Sequence, residues 1–199
     1  MLSVFSRVIK RRSVYLVALP PEVTIQSRAV PGEIQFVPID WSNVNRIEET
    51  RSASVAYIFR QKLTSGHFGL YALADDKVIG HFWAEPSGSQ VRRAWGAIDY
   101  GPHEVLLSWG WVSPTYRGQG VFQGLISMLS TSVRHRLSTQ RIIADVPIEP
   151  IHSLMAHRRI GFELFGRLDY VTIARQLVRS RLQPLRDDEA DILAEKARP

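Results

Sequence analysis

Cysteine is absent from all 199 residues. That excludes disulfides, a thiol nucleophile and any zinc or iron–sulfur site built on thiolates. A chain of this length can bury a core without such staples. Long apolar runs are also missing. A spanning helix needs about 18 or more consecutive apolar residues, and the longest uncharged run, Gly118 to Val133, is broken by Gln119, Gln123, Ser127, Ser130, Thr131 and Ser132. The N-terminus sets Lys10-Arg11-Arg12 between two short apolar stretches, which is not the charge, apolar, small-residue order of a secretory signal. A cytoplasmic protein without membrane contact is expected. The six histidines show no His-x-His or His-x-x-x-His pair, so no metal is expected, and no Gly-x-Ser-x-Gly elbow is present.

What is there is a single domain's worth of chain with 25 basic and 19 acidic residues, net +6. The charge is +3 over residues 1–34, +5 over 35–185 and −2 over 186–199. Such a surface attracts a polyanion, either a nucleic acid or a phosphorylated cofactor. The run Lys10-Arg11-Arg12 reads as a solvated turn. The division is an N-terminal extension with an extra strand (1–33), a main domain (34–180) and a polar tail (181–199).

The periodicity alternates between two classes. Strands are expected at Ser13–Leu19, Ile34–Val37, Phe68–Leu73, Val78–Trp83, Ala94–Tyr100, Glu104–Val112, Arg141–Val146 and Glu163–Ile173. Asp40 and Ser42 offer caps for a helix to about Arg51, and another helix covers Ala53–Leu63. Val121, Phe122, Leu125, Ile126, Leu129 and Val133 recur at helical spacing, and a short helix spans Ile151–Arg159 before Gly161. Strand, helix, strand in succession predicts a parallel pair with a right-handed crossover. Trp109 and Trp111 share a strand face with Leu107 in strict alternation and read as core.

The chemistry is concentrated in Val112-Ser113-Pro114-Thr115-Tyr116-Arg117-Gly118-Gln119-Gly120-Val121-Phe122. This segment leaves the strongest strand, turns on two glycines and enters the best amphipathic helix. Unsatisfied N–H groups at a helix start favour a phosphate, and glycine lets them approach it. A Walker loop would need Gly-Lys-Ser/Thr, and a dinucleotide fingerprint would need glycine at 123 where Gln123 stands.

These residues resemble the GNAT superfamily, the GCN5-related N-acetyltransferases. Its pattern Val-x-Pro-x-(Tyr)-Arg-x-x-Gly-x-(Gly/Ala) is matched at Val112, Pro114, Tyr116, Arg117 and Gly120, with Phe122 in place of the small residue. A second pattern, Asn-x-x-(Ser/Ala)-x-x-x-Tyr-x-x-x-Gly-Phe, falls on Pro150, Ser153, His157, Gly161 and Phe162. The resemblance implies an α/β (α+β) fold with a mixed, splayed central sheet flanked by helices. It implies acetyl-CoA held between the family's fourth and fifth strands, Glu104–Val112 and Arg141–Val146 here. Backbone groups of Trp111 and Val112 would pair with the pantetheine arm. N–H groups of Arg117, Gly118, Gln119, Gly120, Val121 and Phe122 would hold the pyrophosphate. The acetyl group would pass directly to an amine of a small-molecule or peptide acceptor.

Two departures bear on catalysis. The family tyrosine that protonates the departing thiolate falls at His157, the candidate acid; its alternative role is packing. The family's basic glutamate falls at Leu106, and Glu104, one strand step away, is the candidate base. His103 and Asp99 are further options. The Asn-to-Pro150 change removes a contact to the pantetheine, and the ring of Phe122 is expected to pack in the core. Arg51, Arg60 and Arg93 could meet an acidic acceptor. The alternative is a non-catalytic acyl-CoA sensor or interaction module. Nucleic-acid binding is a third reading and not the preferred one. A homodimer could form through the N-terminal strand or the long last strand.

Overall fold

The turn at Asp75-Asp76 shows how local chemistry sets this architecture. Both residues take positive φ, 47° and 59°, the left-handed pair that joins a two-residue hairpin and that aspartate tolerates. In the computed structural model, which describes residues 9–23, 25, 30–87, 100–137, 141–149, 151–173 and 176–185, this turn joins β3 (Phe68–Ala74) to β4 (Lys77–Pro86). Most of the strand expected over Ala94–Tyr100 lies outside the described residues, as do Arg93, Asp99, Pro150 and the chain from 186.

The remaining strands are β1 (Ile9–Leu19), β2 (Gln35–Pro38), β5 (Glu104–Val112), β6 (Arg141–Pro147), β7 (Glu163–Ile173) and β8 (Gln176–Gln183). They form one mixed sheet of eight strands in the order β2-β3-β4-β5-β6-β1-β7-β8. Helices α1 (Ala53–Thr64), α2 (Val121–Arg136) and α3 (His152–Ile160) flank it. β5 and β6 run parallel because α2 carries the chain from one to the other, and every other neighbouring pair is antiparallel.

Each face of the sheet has its own core. Val121, Leu125, Ile126, Leu129 and Val133 of α2 and Leu154 of α3 bury against Val17, Val105, Leu107, Ile142 and Ala144. Phe59 of α1 and Ile47 bury against Tyr71, Val78 and Trp83 on the opposite face. The last turn of α2 carries Arg134, His135 and Arg136, which suit the negative end of its dipole. Arg134 also donates to the carbonyls of Pro20 (2.6 Å) and Val23 (2.6 Å), tying down the chain after β1.

Four expectations need correction. The helix expected up to Arg51 is a short 3₁₀ segment, Val44–Glu49. The Asp40 carboxylate takes the N–H groups of Ser42 (2.8 Å) and Asn43 (3.3 Å), and Asn43 bonds back to the Asp40 N–H (3.0 Å), so side chains capture groups a helix would use. Lys10-Arg11-Arg12 is not a turn but the exposed start of β1, paired with β7 from Arg12↔Tyr170 to Ile9↔Ile173. β1 lies between β6 and β7, and β7 between β1 and β8, so neither strand named for a dimer is an edge strand, although Ile9–Ser13 of β1 pair with β7 alone among the described residues. β8 was not expected, and position 180/181 falls within it.

Candidate functional site

β5 changes character halfway along. Trp83 pairs with Ser108 and His81 with Trp111, so Phe82 alone faces both Trp109 and Gly110. This is a β-bulge. Trp109 sits at φ 55°, a conformation that costs a bulky L-residue about 1–2 kcal/mol. Gly110 is required, since a Cβ there would stand 1.9 Å from the Phe82 ring. The bulge breaks the alternation read from the sequence. Leu107 stays in the core beneath α2. Trp109 is 38% exposed, and Trp111 turns to the α1 side, stacked on His81 (5.6 Å) with the Arg51 guanidinium over its ring (4.9 Å).

The bulge also ends the parallel pairing. β5 and β6 are matched only from Glu104↔Arg141 to Leu107↔Ala144, and beyond that point no pairing joins them among the described residues. At the divergence a cleft of about 670 Å³ opens, lined by Ser108, Trp109, Asp145, Pro147, Glu149 and Arg167 among others. The Ser113 N–H donates to the Ile79 carbonyl (2.7 Å), and Trp111 is opposite His81. Alternation therefore turns the N–H and C=O of Val112 toward the gap and those of Trp111 toward β4. Of the two backbones expected along a pantetheine arm, Val112 faces the gap and Trp111 does not. The Val112 carbonyl accepts from Arg117 Nε (3.3 Å).

The glycine loop follows directly. Gly118 and Gly120 take φ 79° and 82°, and Gly120 opens α2 with no side chain capping its N–H groups and no acid in its first turn. Space around Gly118 is open, with nothing within 4 Å of a Cβ built there. Gln119 bonds back to the Thr115 carbonyl (3.1 Å). Val121 is buried, and the Phe122 ring packs edge-on to Phe82 (5.3 Å) and His157 (5.5 Å). Uncapped N–H groups beside two glycines, free of acidic competition, fit a pyrophosphate.

His157 is enclosed by Phe82, Phe122 and Phe162 and is 2% exposed. Burial pulls its imidazole down to about 4. At neutral pH its ring is uncharged, Nδ1–H donates to the Ser153 carbonyl (2.8 Å), and Nε2 carries a lone pair with no partner. The general-acid role expected of His157 would need a proton at Nε2.

Glu104, the candidate base, lies at the other end of β5 from the bulge. It stands at the closed end of β5, paired with Arg141 Nε (2.7 Å) and accepting the Gly101 N–H (2.6 Å). Five strand steps separate it from Trp109, about 17 Å at strand rise. Leu106 is fully buried.

The sequence reading missed a buried charged cluster beneath the bulge. Lys62 of α1 meets Glu85 of β4 at 2.6 Å, both side chains almost fully buried. Ser108 of β5 donates to the same carboxylate and lies 3.4 Å from Lys62 Nζ. The signal was available: His81, Trp83 and Glu85 alternate on one face of a strand that is otherwise apolar. Among the described residues no group of three His, Cys, Asp or Glu side chains is placed to hold a metal ion.

No protein-family model and no curated protein matches the sequence. Solved structures do match. A tandem GNAT protein from the clavulanic acid biosynthesis pathway superposes with TM-score 0.61 at 12% identity, over 82% of this chain and 54% of its own. A GCN5-related N-acetyltransferase-like protein from Streptococcus suis gives TM-score 0.59 at 15% identity, over 85% of this chain and 64% of its own. This chain has the GNAT fold. AAC(6')-Iy, solved with the bisubstrate analog CoA-S-monomethyl-acetylneamine, shares that fold at TM-score 0.53 and 19% identity, over 65% of this chain and 90% of its own. The chain spans about half the length of the tandem GNAT protein. Within the GNAT fold, β5 and β6 are the strands the motif comparison numbers fourth and fifth.

Proposed function

We propose that the protein is an acetyl-CoA-dependent N-acetyltransferase acting on an amine of a small molecule or peptide. The observation that carries the reading is the divergence of β5 and β6 just where β5 leads into the uncapped glycine loop of α2. The N–H groups of residues 118–122 would bind the pyrophosphate at the positive end of α2. The N–H of Val112 would pair with the pantetheine arm as an added strand does, and its carbonyl would exchange Arg117 for that arm. Bound acetyl-CoA supplies a thioester whose carbonyl carbon an uncharged amine attacks, forming an amide and freeing the thiol. His157 enters as a packing residue that keeps this end of the cleft dry, and Glu104 takes no part. No base of the chain is assigned, and an acceptor bound as the free amine needs none. A cytoplasmic location goes with this reading.

A second reading, a non-catalytic acyl-CoA-binding module, is favoured by the tied carboxylate of Glu104 and the uncharged His157. Thermal unfolding with and without acetyl-CoA tests the cofactor. Ligand at 100 times its dissociation constant should stabilise by about 2.7 kcal/mol, roughly 5–11 °C in midpoint for this size. Absence of a shift would overturn both readings. Thiol release across an amine panel then separates them, since a binder gives none.

A further inference from the structure

Trp109 holds a backbone conformation that its own chemistry disfavours, so the surrounding structure must impose it. Three contacts do so from the α1 side of the sheet. The Lys62 ammonium lies 5.5 Å from the centre of the Trp109 ring, the His81 ring lies beside the Trp109 backbone, and Glu85 receives the hydroxyl of Ser108, the residue just before the bulge. Desolvating two ions is costly, and apolar residues of the same volume are often as stable or more so. Stability alone is therefore a poor reason for this pair.

We infer that the Lys62–Glu85 pair is a positioning device: it clamps Ser108 and Trp109 from α1, fixes the bulge of β5, and thereby sets the width of the cofactor cleft. The inference rests on the cofactor reading above. Lys62 and Glu85 are not themselves among the residues lining the cleft but lie directly behind two that are, Ser108 and Trp109. Their effect travels through β5, and the position of α1 becomes linked to the cleft mouth by the same contacts.

The test uses the full chain, with acetyl-CoA as probe. Replacing the pair by methionines (Lys62→Met with Glu85→Met) should leave the unfolding midpoint unchanged or higher, while acetyl-CoA binds about tenfold more weakly, which is about 1.4 kcal/mol. The same double replacement made in a Trp109→Gly background should cost less than about threefold, because glycine takes positive φ without strain and needs no clamp. A merely structural role would move the midpoint and leave this background dependence absent. Equal affinity with and without the pair overturns the inference. So does an equal loss in both backgrounds. If the double variant does not fold, Ser108→Ala decides: it leaves both charges in place and cuts their bond to β5, and undiminished affinity overturns the inference. Absence of binding by the unaltered protein overturns the cofactor reading along with it, whereas binding that survives the replacements overturns the clamp alone.

Discussion

Phe82 lies where a side chain at Gly110 would have to stand, its ring 1.9 Å from the ideal Cβ position. The same ring packs on Phe122 (5.3 Å), so the bulge of β5 and the start of α2 share one wall. Gly110→Ala should destabilise the fold by about 1–3 kcal/mol, as overpacking does. Phe82→Leu should recover part of that loss when the two are combined, because residues in contact couple. Chemical denaturation of both single variants and the double checks it, and simple additivity would mean that the two residues do not share this space.

Gly118 offers a cleaner probe of the loop than Gly120, because the space around it is open. Aspartate tolerates positive φ, and a negative charge near a helix start is favourable by about 0.3–1 kcal/mol. Gly118→Asp should thus melt within a few degrees of the parent while acetyl-CoA affinity falls at least about tenfold through charge repulsion. Calorimetric titration measures it. Retained affinity would remove the loop from the cofactor site.

The buried histidines make stability depend on pH in a definite direction. An unfolded histidine takes up its proton near 6.5, whereas burial holds His157 unprotonated until about 4 and His81 until about 3. Between those values the unfolded chain binds more protons, so stability falls as the pH drops from about 6.5 to about 4. His157 alone should account for about 3 kcal/mol of that loss. His157→Phe, placing a fourth ring among Phe82, Phe122 and Phe162, should roughly halve the histidine-linked slope over this window, with His81 supplying the remainder, read by denaturant unfolding at each pH.

Glu104→Gln should leave the acetyl-transfer rate within about twofold and cost no more than about 1 kcal/mol of stability, because its bond to a half-exposed Arg141 is of the surface kind. Steady-state thiol release and thermal melting measure the two effects. A tenfold fall in rate would return Glu104 to the chemistry.

The legible parts of this molecule are those whose cause is local. Gly118, Gly120 and the spacing of Val121, Leu125 and Leu129 announce a turn into a helix wherever they occur. Asp75-Asp76 likewise announces a hairpin. The bulge was illegible because Glu104–Val112 keeps an apolar pattern throughout, and only the fit of Phe82 against Gly110 reveals that the phase slips. Placement of β1 was illegible for a different reason: an apolar strand states that it must be buried, not between which neighbours. Lys62 reads on α1 as one more solvated cation until Glu85 is brought to it across the fold. β8 hid because Arg179 and Arg181 give its sequence the look of a polar tail.

The seat of β1 between β6 and β7 also fixes an order of events in time. Ser13 meets Arg167 across 154 residues of chain. β1 therefore leaves a ribosome long before β6 and β7, the strands that pair its two edges. Contacts of such separation slow folding, and an apolar edge left open meanwhile invites pairing with other chains. A protein built this way should gain more from chaperones that shield β1 than one in which the same strand closes on its neighbour in a hairpin.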